Sequence, residues 1–335
     1  MEQDSTQREP VSCLVVGAGI AGLMAARELQ RQGVSVTVLD KGRGVGGRMA
    51  TRRFAGGVFD HGTQYFAPSS PWFQARITEW VHDGIAREWF RVRAYELDPR
   101  FISAARFCGC PTMTAVPKQI ADGIEVHTSE RVTRIERADS SWRIGTEAGS
   151  SYHARSCILT PPVPQTLALI EDSDCKLAAV DRAVLRELEY EPCHAVLAVC
   201  DGVPTLPENG VLEFERGNLR RIMDNTRKGV SPDVQAVTIH AMGDFSAAHI
   251  DDDPEDVARM MIEEAQPIIE VPVRDFQVHR WRYSQIVEPH GQPCLLLQED
   301  PPLAVAGDAF GANGVEGAAR SGMEAARRIM RSLAN

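Results

Sequence analysis

Gly17, Gly19 and Gly22 follow directly on the apolar run at 11–16, and an acid, Asp40, stands eighteen residues past the last of them. Each residue type has a task in holding a dinucleotide. Gly17 permits a tight turn, Gly19 lets the backbone approach a pyrophosphate, and Gly22 allows close packing of helix on strand. Ile20 and Ala21 open a helix whose free N–H groups and positive dipole end face the phosphates. Asp40 is placed to accept hydrogen bonds from a ribose diol. A second glycine-rich loop follows at once, "KGRGVGGRMATRR", with Lys41, Arg43, Gly47 and Arg48. Arginine suits phosphate because its planar fork binds in a bidentate way. Near the other end, "AGDAFGANGVEGAARSG" at 306–322 has too little apolar surface for a core. There Asp308 follows a last apolar strand, Gly311 and Gly314 allow tight turns, and Val315 begins a helix with Glu316 in its first turn.

The elements that position these residues read clearly. Val11 to Val16 is a short apolar run, as expected of a strand buried on both faces. Leu23, Ala26 and Leu29 have helix-face spacing, Gly33 ends that helix, and "VSVTVL" alternates into a second strand ending at Asp40. Residues 124–159 read as β-hairpins ending in a strand, and "PPVPQ" breaks the pattern where the chain is expected to cross between domains. Helices are expected at 174–188 and 254–267, and strands at "HAVLAVC" and "AVTIHAM". No internal repeat or linker stands out, so the domains are expected to interleave.

With 335 residues and 43% hydrophobic content, the chain can bury one large core or two. Its net charge of −10 argues against a nucleic-acid partner. No apolar run approaches the ~18 residues of a membrane span. The polar residues 1–10 read as a disordered leader on a soluble, cytoplasmic protein. Eight scattered cysteines include one close pair, Cys108 and Cys110, without a second Cys/His pair at metal spacing, so no metal is expected. There is no CxxC motif.

The glycine-arginine loop resembles the one that flavoproteins of the amine-oxidase type close over the FAD pyrophosphate. With "LDKGRGVGGRM", "DHGTQYF", "ERVTRIE", "LTPPVPQ", "HRWRYSQ" and the C-terminal glycine stretch, most of 11–331 is similar to renalase-type flavoproteins of the FAD-dependent amine-oxidase superfamily. The fold implied is α/β with an α+β substrate part: a Rossmann-like FAD-binding domain interleaved with an antiparallel-sheet substrate domain. The expected boundaries are 11–66, 112–166 and 294–331 for the FAD domain, and 67–111 and 167–293 for the substrate domain. The resemblance implies that Ala21, Arg48, Gln64 and Tyr65 contact non-covalent FAD, and that Val132 meets the adenine through its backbone. Asp308 would then accept from the ribityl chain, and the helix from Gly314 and Val315 would face the flavin edge where reduction places negative charge.

The resemblance further implies an oxidase that takes hydride from 2- or 6-dihydro-NAD(P), giving NAD(P)+ and, from O2, hydrogen peroxide. Such a donor needs positioning more than a base. Only four lysines occur, and neither Lys176 nor Lys228 sits in an amine-oxidase motif. Asn225 and His240 are candidates for the carboxamide and ring of the substrate, and Trp281 and Tyr283 for a pocket wall. Each also has an ordinary reading, as turn, core histidine or core aromatic. Two alternatives stay open: an amine oxidase or desaturase on a small organic substrate, and a flavin-binding redox protein without turnover.

Overall fold

A computed structural model describes residues 11–92, 104–173 and 175–334; the leader expected at 1–10 lies outside them. The described residues pack as two units, each built from separated segments. Unit 1 begins with β1 (Cys13–Val16), α1 (Ile20–Arg31) and β2 (Val36–Leu39). Unit 2 starts at Arg48 with β3 (Thr51–Phe54), β4 (Gly57–Asp60), α2 (Pro71–His82), β5 (Ala86–Val92) and β6 (Ala104–Gly109). After α3 (Ala115–Ala121) the chain returns to unit 1 with β7 (Glu125–His127), β8 (Val132–Ala138), β9 (Ser141–Thr146), β10 (Ser151–Ala154), β11 (Cys157–Leu159), α4 (Val163–Asp172) and α5 (Ala179–Arg186). Unit 2 resumes at Tyr190 with β12 (Tyr190–Cys200), β13 (Val211–Glu213), β14 (Leu219–Asp224), β15 (Ala236–Ala241), α6 (Gly243–Ala248), α7 (Pro254–Ile269) and β16 (Val273–Ile286). Unit 1 closes with β17 (Leu295–Glu299), β18 (Pro302–Val305) and α8 (Gly314–Ala334).

Unit 1 is a Rossmann-like sheet in the order β17-β18-β11-β1-β2-β7, parallel except for the edge strand β17. β1 and β11 are wholly buried because helices and sheet leave them no solvent face. The chain leaves β1 toward β2 on one side, while β11 joins it on the other. The glycine turn therefore sits at the switch point beyond the strand's carboxyl end, where open α/β sheets bind ligands. Close packing of α1 on α8 depends on small residues, since a Cβ on Gly322 would stand 1.9 Å from the Ala21 carbonyl oxygen; within the glycine turn itself, one on Gly22 would stand 1.9 Å from that of Gly17.

Unit 2 is an antiparallel sheet, β13-β14-β15-β12-β16. Alternation along its strands sorts two faces. Val196, Ala198, Val237, Ile239 and Ile222 pack with Val257, Met261 and Ala265 of α7. On the other face Leu197, Val199 and Ala236 pack with Phe59 of the β3–β4 hairpin.

Three readings differ from this structure. β7 is no hairpin strand but pairs parallel with β2, its short run ending the Rossmann sheet. "PPVPQ" is no crossing point: Pro162 caps α4 and a proline occupies its first turn, where a missing N–H breaks no helical bond. The chain changes unit at Glu189–Tyr190 instead, and residues 48–66 pack with unit 2. The helix expected at 174–188 spans only Ala179–Arg186, whereas α7 starts as expected, with Asp253 capping the N–H groups of Glu255 and Asp256. No helix among the described residues is long and apolar enough to cross a membrane.

Candidate functional site

Unit 1 carries a cradle for a nucleotide. α1 begins after Gly19 with no side-chain cap and no acid in its first turn, so its first N–H groups have no side chain to accept them. The second glycine loop lies on this turn: Gly46 N donates to Ala18 O (2.8 Å), and a Cβ on Gly47 would stand 3.4 Å from Gly19 Cα. A Cβ on Gly19 or on Gly314 would meet no atom within 4 Å, so both helix starts border open space. Asp40 joins the two loops, its carboxylate accepting from Ala18 N and Gly42 N (both 2.6 Å). Each carboxylate oxygen retains a second lone pair for a ribose hydroxyl. Lys41 Nζ reaches Gln165 Oε1 (2.9 Å), and Arg43 is exposed. Val132 opens β8, the edge strand of the three-stranded sheet β10-β9-β8. Asp308 follows β18 and is buried, as are Val315 and Glu316 in the first turn of α8.

In unit 2 the site residues converge on the sheet face that carries Phe59. Arg221, His240, Ala195 and His279 stand opposite one another across β14, β15, β12 and β16. A bulge between Leu219 and Arg221 turns Arg221 onto this face. Trp281, two residues beyond His279, lies edge-on to it at 4.2 Å and stacks on His61 at 5.2 Å and 17°. The His61 carbonyl accepts from both Trp281 Nε1 and His240 Nε2 (3.1 Å each). A carbonyl can only accept, so His240 carries its proton on Nε2 and a lone pair on Nδ1. Burial is the main cause that holds these imidazoles neutral: His61 and His240 are pushed down to about 3 and His279 to about 4. Tyr283 packs edge-to-face on Tyr190 (5.9 Å), whose ring lies under the Arg48 guanidinium. Arg48 also donates to the carbonyls of Tyr283 and Ser284 (3.3 and 3.2 Å).

Beneath this face lies a buried ionic hub. Lys228 Nζ stands 2.8 Å from Asp60 Oδ2, with both side chains fully buried. Lys228 also donates to Gln64 O (2.7 Å) and sits over the Trp89 ring at 4.8 Å. Asp60 Oδ1 accepts from Thr51 Oγ1 (2.6 Å) and Met113 N (3.1 Å), while its carbonyl takes Gln64 Nε2 and Thr238 Oγ1. Asn225 belongs to the same network: Oδ1 accepts from Asp60 N (3.1 Å) and Nδ2 donates to Thr238 Oγ1 (2.9 Å). Its amide is satisfied within the protein, which gives Asn225 a structural task rather than a substrate contact. Gln64 is likewise buried and internally bonded, and Tyr65 donates to Glu213 Oε1 (3.0 Å). The sequence reading singles out neither His61 nor Asp60, and sets Lys228 aside for want of an amine-oxidase motif. "DHGTQYF" held the signal, a buried acid and a histidine at a strand end, but nothing local names their partners.

The family model for flavin containing amine oxidoreductases matches residues 101–330, and that of the NAD(P)-binding Rossmann-like domain matches 15–80. The chain belongs to the flavin containing amine oxidoreductase family. It is a flavin-containing oxidoreductase, and its cofactor is FAD, which the open, uncapped cradle of unit 1 fits. An L-amino acid dehydrogenase of Synechocystis is 34% identical over 97 residues, 27% of this chain and 21% of that protein. A flavin-containing monooxygenase of Arabidopsis thaliana, FMO GS-OX4, is 26% identical over 150 residues, 41% of this chain and 31% of that protein. The chain thus spans less than a third of the length of these curated relatives. The fold likeness runs further: a solved putrescine oxidase, bound to putrescine, superposes with a TM-score of 0.71 at 15% identity, covering 96% of this chain and 99% of that one.

Proposed function

We propose that this member of the family is a renalase-type oxidase of 2- or 6-dihydro-NAD(P). The substrate loses one hydride to become NAD(P)+, and with a proton from solvent O2 is reduced to H2O2. FAD, bound without a covalent link, supplies the chemistry by accepting the hydride and passing two electrons to O2. The unit 1 residues proposed to hold it are Gly17, Gly19, Ile20, Ala21, Gly22, Asp40, Lys41, Arg43 and Gly47, with Val132, Asp308, Gly314 and Val315.

The observation that carries the reading is the character of the unit 2 face. His240 is a neutral imidazole with its Nε2–H tied to the His61 carbonyl, which leaves Nδ1 to accept from a carboxamide N–H. Trp281, which donates to the same His61 carbonyl, offers a flat indole for a planar ring. Neither needs to take a proton, which suits a donor whose hydride departs to leave an aromatic cation. A lysine in water, as an amine oxidase would use, is not what Lys228 provides: its ammonium is buried against Asp60. The Tyr190–Tyr283 pair favours the second reading, oxidation of a small amine against an aromatic wall.

Steady-state assay decides between them. The dihydronicotinamide isomers should yield NAD(P)+ and H2O2 in equal amounts with equal consumption of O2. Peroxide from amines alone would transfer the function to the second reading.

A further inference from the structure

The geometry points to an oxyanion subsite at Tyr65 that receives the pyrophosphate of a dinucleotide substrate. This inference rests on the proposed dihydronicotinamide dinucleotide reading. Two guanidinium groups flank the Tyr65 ring, Arg106 and Arg221, each 5.6 Å from its centroid. Arg106 reaches only the carbonyls of Ala104 and Ala105, at 3.4 and 3.5 Å, and has no carboxylate partner among the described residues. Arg221 Nε is buried without a hydrogen bond, and its one acid among the described residues, Glu213 Oε1, stands 3.5 Å away while accepting from the Tyr65 hydroxyl. Of the two cations at the Tyr65 ring only Arg221 thus faces a carboxylate, and that one is already engaged by the Tyr65 hydroxyl, on a chain of net charge −10.

The place of these two cations suggests their ligand. Arg221 is directly opposite His240 across β14 and β15, so the cations adjoin the imidazole face and are not a scattered surface feature. Guanidinium presents a fork of donors that matches a phosphate edge, and a charge-assisted pair of this kind is stronger than a neutral hydrogen bond. Tyr65 holds both groups in place by cation–π contact, so little side-chain freedom remains to be lost on binding. A substrate that puts its nicotinamide ring against His240 and Trp281 would extend its phosphates toward this pair. An amine substrate has no use for them.

The test uses the FAD-saturated protein, so that the cofactor's own phosphate cradle is filled. Binding of inorganic pyrophosphate, and in parallel of ADP-ribose, is measured by calorimetry at fixed ionic strength. Both probes should bind, and Arg106→Gln should weaken each by about tenfold or more. Glu213→Gln should tighten each, because it removes the carboxylate that competes for Arg221; misfolding cannot produce a change in that direction. Raising salt should weaken binding through screening. Failure of pyrophosphate to bind would overturn the subsite, as would Arg106→Gln and Glu213→Gln proteins that bind as the parent does. The two readings fail separately. Binding that responds to Arg106 in a protein that oxidises no dihydronicotinamide supports the subsite and removes the substrate. Turnover of those donors with pyrophosphate unbound removes the subsite and leaves the substrate.

Discussion

His240 is useful to a hydride donor because it stays uncharged. Its Nε2–H is fixed on the His61 carbonyl, and burial holds it down to about 3, so no proton arrives on Nδ1 at neutral pH. Replacing it by phenylalanine keeps the packing but removes the acceptor. His240→Phe should lower kcat/KM for the dihydronicotinamide isomers by about tenfold, the worth of one hydrogen bond to a positioned group, with FAD content unchanged. Lys228 predicts a different loss. Lys228→Met leaves the Asp60 carboxylate buried without its cation, which should cost about 3–5 kcal/mol in urea unfolding. A Lys228→Met/Asp60→Leu double variant should recover part of that stability, since an apolar pair needs no desolvation of charge. At this scale the sequence was half legible. Gly17, Gly19 and Asp40 belong to one continuous β1-α1-β2 stretch and could be read directly. Lys228 and Gln64 are 164 residues apart, and His240 and His61 179, so neither contact has a local signature. Asn225, open between a substrate contact and an ordinary turn residue, is bonded to Asp60 N and Thr238 Oγ1, partners that no local pattern names.

Among the elements, α1 offers the sharpest contrast. Gly19 has φ −75°, which alanine adopts freely, and a Cβ there meets nothing within 4 Å. Gly19→Ala should therefore keep the Tm of the parent protein yet bind FAD weakly, because the methyl would occupy the space kept for a pyrophosphate. Gly22→Ala should do the reverse. Its Cβ would lie 1.9 Å from the Gly17 carbonyl, so the fold must shift, at the upper end of the roughly 1–3 kcal/mol of overpacking or beyond. Thermal melting and flavin stoichiometry of the two purified variants separate these outcomes. The β1-α1-β2 unit could be read because apolar run, glycine turn and amphipathic helix are all local patterns. The β3–β4 hairpin could not be assigned to its unit, since that depends on Phe59 packing with Leu197, Val199 and Ala236 far along the chain.

For the whole molecule, buried neutral imidazoles set a pH response. His61, His240, His279 and His194 are held down to about 3, 3, 4 and 4, each mainly by burial, against an ordinary value of 6.5. Below 6.5 the unfolded chain binds protons that the folded one refuses. Stability from these groups is therefore complete above 6.5 and is lost progressively as pH falls through the folded values. The Tm should decline between pH 6.5 and 4, and a flat Tm over that range would contradict the neutral cluster. Turnover should show no bend from these groups at neutral pH.

In the proposed reaction the bound flavin takes hydride from a dihydronicotinamide isomer. The most direct measurement is anaerobic stopped-flow mixing of the yellow holoprotein with 2- or 6-dihydro-NAD(P), following the flavin band. Rapid bleaching by at least one isomer, full recovery on admitting O2, and one H2O2 per flavin are expected. A band that persists with both isomers but bleaches with small amines would contradict that reaction.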